Sequence, residues 1–164
     1  MVRNWIGLLS LVAFALLTVG CGSEPAKAPA KVEEHAHEHA SEGPHKGHLI
    51  ELGVNEEYHG ELTHDDASKT VTVYLLGKDA KTPVMSADKE IDLNLVIDGT
   101  PTQAKLTAAP QDGEKEGESS RFTLVDEKIL EALENPKTTG NLNVNIAGQR
   151  YSGKVALGAH GHDH

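Results

Sequence analysis

From Gly47 to Leu157 apolar residues recur at every second position, run after run, and this alternation limits the fold more than any other feature of the chain. A period of two puts successive side chains on opposite faces of a strand, so each run has one face for a core and one for another environment. In HLIELG, Ile50 and Leu52 share a face. In EYHGELTH, Tyr58, Gly60 and Leu62 share one while His59, Glu61 and Thr63 take the other. TVTVYLL places Val71, Val73 and Leu75 together, IDLNLVID does so with Ile91, Leu93, Leu95 and Ile97, and QAKLTA with Ala104, Leu106 and Ala108. SRFTLV is a further short strand. NLNVNIAG and RYSGKVAL align Leu142, Val144 and Ile146 against Tyr151, Val155 and Leu157.

The punctuation between these runs agrees with antiparallel pairing. Asp65 to Ser68 reads as a turn, Asp98-Gly99 is a hairpin signal, and the residues around Ala147 to Arg150 join the last two runs. GKDAKTPVMSADKE and QDGEKEGE are polar connections. The one helical pattern is DEKILEALENP, with Asp126 as cap, Ile129, Leu130 and Leu133 as an apolar stripe, and Pro136 as the stop. About eight short strands with one short helix imply an all-β domain over 47–158. An immunoglobulin-like antiparallel β-sandwich is the expected architecture, with a small barrel as the alternative.

The residues before this domain are of another kind. Arg3, an apolar run from Trp5 to Val19 and Gly20-Cys21 have the layout of a secretory signal, too short for a comfortable membrane span. TVGC resembles the lipobox of bacterial lipoproteins, with Thr18 in place of the more usual leucine. The resemblance implies a signal peptide over 1–20, cleavage after Gly20, lipid on the Cys21 thiol, and anchoring to a bilayer at the periplasmic face of the cell envelope. Gly22 in the next position implies outer-membrane sorting. An ordinary signal peptide with an incidental cysteine is the competing reading. Residues 21–46, rich in Pro, Ala, charge and His, have no apolar periodicity and are expected to form a disordered tether.

Cys21 is the sole cysteine, so neither a disulfide nor a thiolate zinc site is available to the domain. Acids number 25 against 15 Lys and Arg. Loss of a signal carrying Arg3 alone takes the net charge to about -11. Such a surface repels phosphate backbones and attracts cations, which argues against a nucleic-acid partner.

Histidine is concentrated at the two ends. Five of the ten lie in HAHEHASEGPHKGH, as His35, His37, His39, His45 and His48, and three more close the chain as His160, His162 and His164 in a tail over 159–164. Neutral imidazole is a common ligand for borderline divalent metals, and His-rich tracts are read as metal-binding on composition. In an extended chain His35, His37 and His39 point the same way, with Glu33, Glu34 and Glu38 as further donors; Asp163 plays that part in the tail. If the two ends emerge together, both sets could share an ion. A polar spacer that happens to be His-rich is the bland alternative.

GPHKGHLIELGVNEEYHGELTHDD resembles the segment near the start of the metal-associated domain in periplasmic adaptor subunits of heavy-metal efflux pumps. There, His-Gly-Gly-like turns precede an ELG strand and a Tyr-His-x-Glu strand. It is also similar to small His-rich bacterial envelope lipoproteins with the same pattern ahead of a β-domain. The match runs from Gly43 to about Leu76, with Lys46 where the first glycine of the turn is expected. On the residues themselves, a turn over Gly53 to Glu56 sets Glu51 opposite His59, with Glu61 two places along on the same outer face. Those groups, joined by His45 and His48 from the tether, could form a mixed nitrogen and oxygen site. An ordinary exposed sheet face has the same composition. His64, beside Asp65 and Asp66, reads as a turn residue.

Catalysis finds no support: Ser119, Ser120 and Ser152 lack a nucleophile-elbow context, and there is neither a phosphate-binding glycine loop nor HExxH. The sequence thus points to a non-enzymatic envelope lipoprotein that binds or buffers zinc, copper, nickel or cobalt. The proposed metal ligands are His35, His37, His39, His45, His48, His59, Glu61, His160, His162 and His164. Affinity should fall steeply below about pH 6, because ligation needs neutral imidazole with a reference pKa near 6.5. The rival is a structural or interaction module that docks to another envelope protein. A third reading makes the protein an accessory to a metal efflux system.

Overall fold

A computed structural model describes residues 42–156. The expected signal peptide, Cys21, most of the expected tether, Leu157 and the His-bearing tail lie outside the described residues. Eight strands and one helix follow in the order β1 (His48–Leu52), β2 (Tyr58–Asp65), β3 (Thr70–Gly77), β4 (Glu90–Ile97), β5 (Thr100–Ala108), β6 (Arg121–Val125), α1 (Glu127–Glu134), β7 (Thr139–Ile146) and β8 (Gln149–Ala156). The fold is therefore all-β, as the alternation predicts. All pairings are antiparallel, and the strands join in one sheet ordered β1-β2-β3-β6-β5-β4-β7-β8.

That sheet is nearly closed. Beside the β1 end of the ladder the Gly53 N–H donates to the Ser152 carbonyl at 3.2 Å, bringing β8 against β1. The ladder is thin at one internal seam, where β5 and β6 share only the pairs Thr107↔Thr123 and Ala108↔Phe122. Two four-stranded halves, β1-β2-β3-β6 and β5-β4-β7-β8, are thus joined at this seam and closely apposed at β1 and β8. Both a flattened barrel and a sandwich with joined edges have this connectivity.

The core consists of the residues that alternation selects. Ile50, Leu52, Val71, Val73, Leu75, Leu93, Leu106, Phe122, Leu142 and Val155 are all buried to within about 1% of full enclosure, and Tyr58, Ile97, Ala108 and Tyr151 pack against them half-buried. Each fully enclosed Leu, Ile or Phe stabilises the fold by roughly 1.5–3 kcal/mol. Helix α1 adds Ile129, Leu130 and Leu133 to the same cluster. Its N-cap is Asp126, whose side chain accepts from the Lys128 and Ile129 N–H groups, a contact worth about 1 kcal/mol.

Two hairpins turn through left-handed residues. Asp98 and Gly99 have φ of 48° and 81°, and Ala147 and Gly148 have 51° and 78°. Two consecutive positive φ values match the twist of the flanking strands, which is why these short loops carry glycine second.

The folded body begins earlier than the expected boundary at residue 47. Glu42 bridges to His48, the Gly43 N–H donates to the Gly47 carbonyl at 3.0 Å, and the Lys46 N–H donates to the Gly43 carbonyl at 3.0 Å. Residues 42–46, assigned by composition to the tether, thus form a tight turn against β2.

Candidate metal-ligand site

β1 and β2 pair in the register that sets Glu51 opposite His59, and β2 and β3 set Glu61 opposite Tyr74 and His59 opposite Leu76. His59, Glu61, Tyr74 and Leu76 therefore lie on the outer face of this ladder. That face is not open to solvent here: Glu61 is completely buried, His59 is 6% exposed, and Leu76 is 1% exposed. The expectation of an exposed polar face fails at these positions.

Glu61 is enclosed by the 42–47 turn. Its Oε1 accepts from the His45 N–H at 2.6 Å and from the Gly47 N–H at 2.9 Å, and its Oε2 is 2.7 Å from His45 Nδ1. A carboxylate taken out of water is costly unless hydrogen-bonded, and two backbone N–H groups together with the His45 ring nitrogen meet that need. The fit explains the glycines. A side chain at Gly43 would run into the Glu61 carboxylate, and one at Gly47 would come within 2.6 Å of the Leu62 carbonyl.

The His45 ring lies flat on Tyr74, with centroids 3.7 Å apart and planes 6° from parallel. It nevertheless remains 38% exposed. One ring nitrogen is thus anchored in the protein while the imidazole still borders solvent.

Glu61 is displaced from its expected role by this geometry. Both oxygens are already engaged within a closed turn, so it supports a histidine and is not placed to bind an ion itself. His59 is likewise held, with Nδ1 3.1 Å from the Gly77 carbonyl. His48 shares the face of Ile50 and Leu52 and pairs with Leu62, on the side of β1 opposite Glu61. Of the expected ligands among the described residues, His45 and Glu61 touch, His59 lies two places along the same face, and His48 is not brought to them. His35, His37, His39, His160, His162 and His164 lie outside the described residues.

Gly77 opens a turn built on Asp79. That carboxylate accepts from the Thr82 hydroxyl at 2.6 Å, the Thr82 N–H at 2.9 Å and the Lys81 N–H at 3.0 Å. These bonds, the Thr82 hydroxyl first, hold the carboxyl down from 3.8 to about 2. A depressed carboxylate stabilises the folded state above its unfolded pKa, and the contribution disappears as pH falls through the folded value. Amide protection at Lys81 and Thr82 is therefore expected to hold from neutral pH down to about pH 4 and to be lost towards about pH 2. Hydrogen exchange followed by NMR measures this, and loss of protection already at pH 5 would contradict it.

One further group of potential ligands was not expected. His64, Asp66 and Glu134 offer one atom each within 4.8 Å of one another, with His64 Nε2 3.9 Å from Asp66 Oδ1. All three are exposed and they lie at the other end of β2, where the turn meets the last residue of α1. A contact between positions 66 and 134 leaves no trace in local sequence. An open groove between β5 and α1, floored by Ala104, Leu124, Ile129 and Ala132, is formed by other elements and contains none of the histidines.

No protein-family model, curated protein or solved structure matches this chain.

Proposed function

We propose that this is a lipid-anchored envelope protein that binds divalent transition metal ions such as zinc, copper, nickel or cobalt through imidazole nitrogens. In this reading His45 is a rigid ligand at the base of the His-rich segment. The observation that carries the reading is an immobilised imidazole, anchored at one nitrogen by a buried carboxylate and open to solvent, at the place where that segment joins the fold. Carboxylate-oriented histidine is the usual arrangement around a bound metal.

Chain connectivity supplies the rest. His39 is six residues before His45, so an extended chain puts them at most about 20 Å apart. Histidines tethered at that range act at high effective concentration on an ion held by His45. Fixing each tethered residue costs about 1–2 kcal/mol, whereas His45 is ordered in advance. His45 should therefore contribute more to affinity than any one histidine of the run.

Calorimetric titration with zinc, copper and nickel tests this. Replacing His35, His37 and His39 together by alanine is expected to weaken binding, and His45→Ala alone to weaken it about tenfold or more. Equal heats from the original protein and from a variant lacking His35, His37, His39, His45, His160, His162 and His164 would remove the reading.

A second reading, a module that docks to another envelope protein or to an efflux system, draws on β5. Among the described residues that strand pairs with β6 only at Thr107 and Ala108, so the edge from Thr100 to Leu106 has no strand beside it on that side. Pro101, within that stretch, is the kind of residue that blocks strand addition. Metal binding is therefore the better supported reading.

A further inference from the structure

We infer that Glu61 is a positioning residue: it fixes the neutral His45 ring with its proton on Nδ1, so that Nε2 is the nitrogen that takes the metal. The inference rests on the metal-binding reading but makes a separate claim about the protein without metal. An ionised carboxylate only accepts hydrogen bonds, and Glu61 already accepts two backbone N–H groups at Oε1. Facing Oε2 at 2.7 Å, Nδ1 must be the donor. The proton of the neutral ring then sits on Nδ1, leaving the Nε2 lone pair bare, as a ligand to a borderline divalent ion requires.

The stack on Tyr74 fixes the plane of the ring, and the turn fixes its distance from the carboxylate. Together they leave one in-plane direction for Nε2. His59 provides an internal reference. Its Nδ1 faces the Gly77 carbonyl, also an acceptor, so it has the same tautomer through a contact that does not involve Glu61.

Glu61→Gln separates orientation from shape. The amide is isosteric, and its oxygen will take the place of Oε1, because the reverse orientation would set an NH2 against two backbone N–H groups. That puts the NH2 where Oε2 stood, opposite His45 Nδ1. A donor now faces the ring, so the neutral imidazole must move its proton to Nε2, and the ligand lone pair is lost.

Long-range nitrogen–proton NMR of the metal-free protein, recorded where the nitrogen shifts show the ring to be neutral, reads these states directly. The original protein is expected to show His45 protonated at Nδ1. Glu61→Gln is expected to show it at Nε2, with His59 unchanged and the backbone shifts of β1 to β3 retained. Zinc alone, added to both proteins and followed at the His45 signals, should bind there about 10–100-fold more weakly in the variant.

His45 protonated at Nε2 in the original protein overturns the inference, and this result does not depend on whether the variant folds. So does an inverted tautomer with undiminished zinc affinity at His45. If zinc leaves His45 untouched in the original protein while the tautomer switch is seen, the positioning role stands and the metal-binding reading of this site falls.

Discussion

Glu61→Ala is expected to destabilise the protein by about 3 kcal/mol and to free residues 42–47 from β2. Hydrogen bonds to an ionised group are each worth roughly 1.5–3 kcal/mol, and this carboxylate accepts from the His45 N–H, the Gly47 N–H and His45 Nδ1. The full sum is not lost, because a released turn lets those donors find water. What remains is the packing: the His45 stack on Tyr74 and the close fit of Gly43 over the side chain both depend on the carboxylate. Urea denaturation gives the stability change, and hydrogen exchange at His45 and Gly47 reports the release. A change below 1 kcal/mol with both amides still protected would show that the turn holds without its centre. Glu61→Gln should be much milder, since one acceptor oxygen and the shape are kept.

Gly153→Ala is expected to cost about 2–3 kcal/mol, at the upper end for overpacking, through a different part of the sheet. Gly153 lies in β8 where that strand meets β1. A methyl group there would overlap the Glu51 carbonyl and come within 2.7 Å of Ile50 Cγ2 and 2.8 Å of Leu52 Cδ2. A flexible side chain could turn aside, but the carbonyl belongs to the β1 backbone, so β1 and β8 must move apart. The thermal midpoint should fall, and exchange at the Gly53 amide, which donates across this junction to Ser152, should accelerate. An unchanged midpoint would mean that the approach of the two strands is looser than the geometry implies.

Much of this architecture can be read from the chain because it depends on neighbours in sequence. The inward sets of β1 to β8, the cap at Asp126 and the turns at Asp98-Gly99 and Ala147-Gly148 follow from alternation and turn chemistry. The candidate site is only half legible. Alternation puts His59 and Glu61 on one face of β2 and pairing puts Glu51 opposite His59, but neither tells whether that face is covered. Over Glu61 its cover comes from the turn at 43–47, and composition assigns that turn to the tether.

Two signals bear on the covered face. Leu75 and Leu76 are adjacent apolar residues in a strand that otherwise alternates, and burial on both faces is what such a break means. Gly43 and Gly47 frame His45 at the spacing of a tight turn. The grouping of His64 and Asp66 with Glu134 is of another order, since only the completed sheet brings α1 beside the β2–β3 turn.

The pairing order also sets how quickly the chain can find its structure. β2 with β3, β4 with β5, and β7 with β8 are neighbours along the chain and can zip from their turns. The joins of β3 to β6 and of β4 to β7 close loops of some forty residues or more, and the approach of β8 to β1 closes about a hundred. A topology so dependent on distant partners folds in milliseconds to seconds, whereas local helical packing takes microseconds. The Glu61 contacts reach only 14 and 16 residues back and Tyr74 lies in the next strand, so the imidazole can be seated as soon as β1, β2 and β3 have paired, long before the sheet is complete.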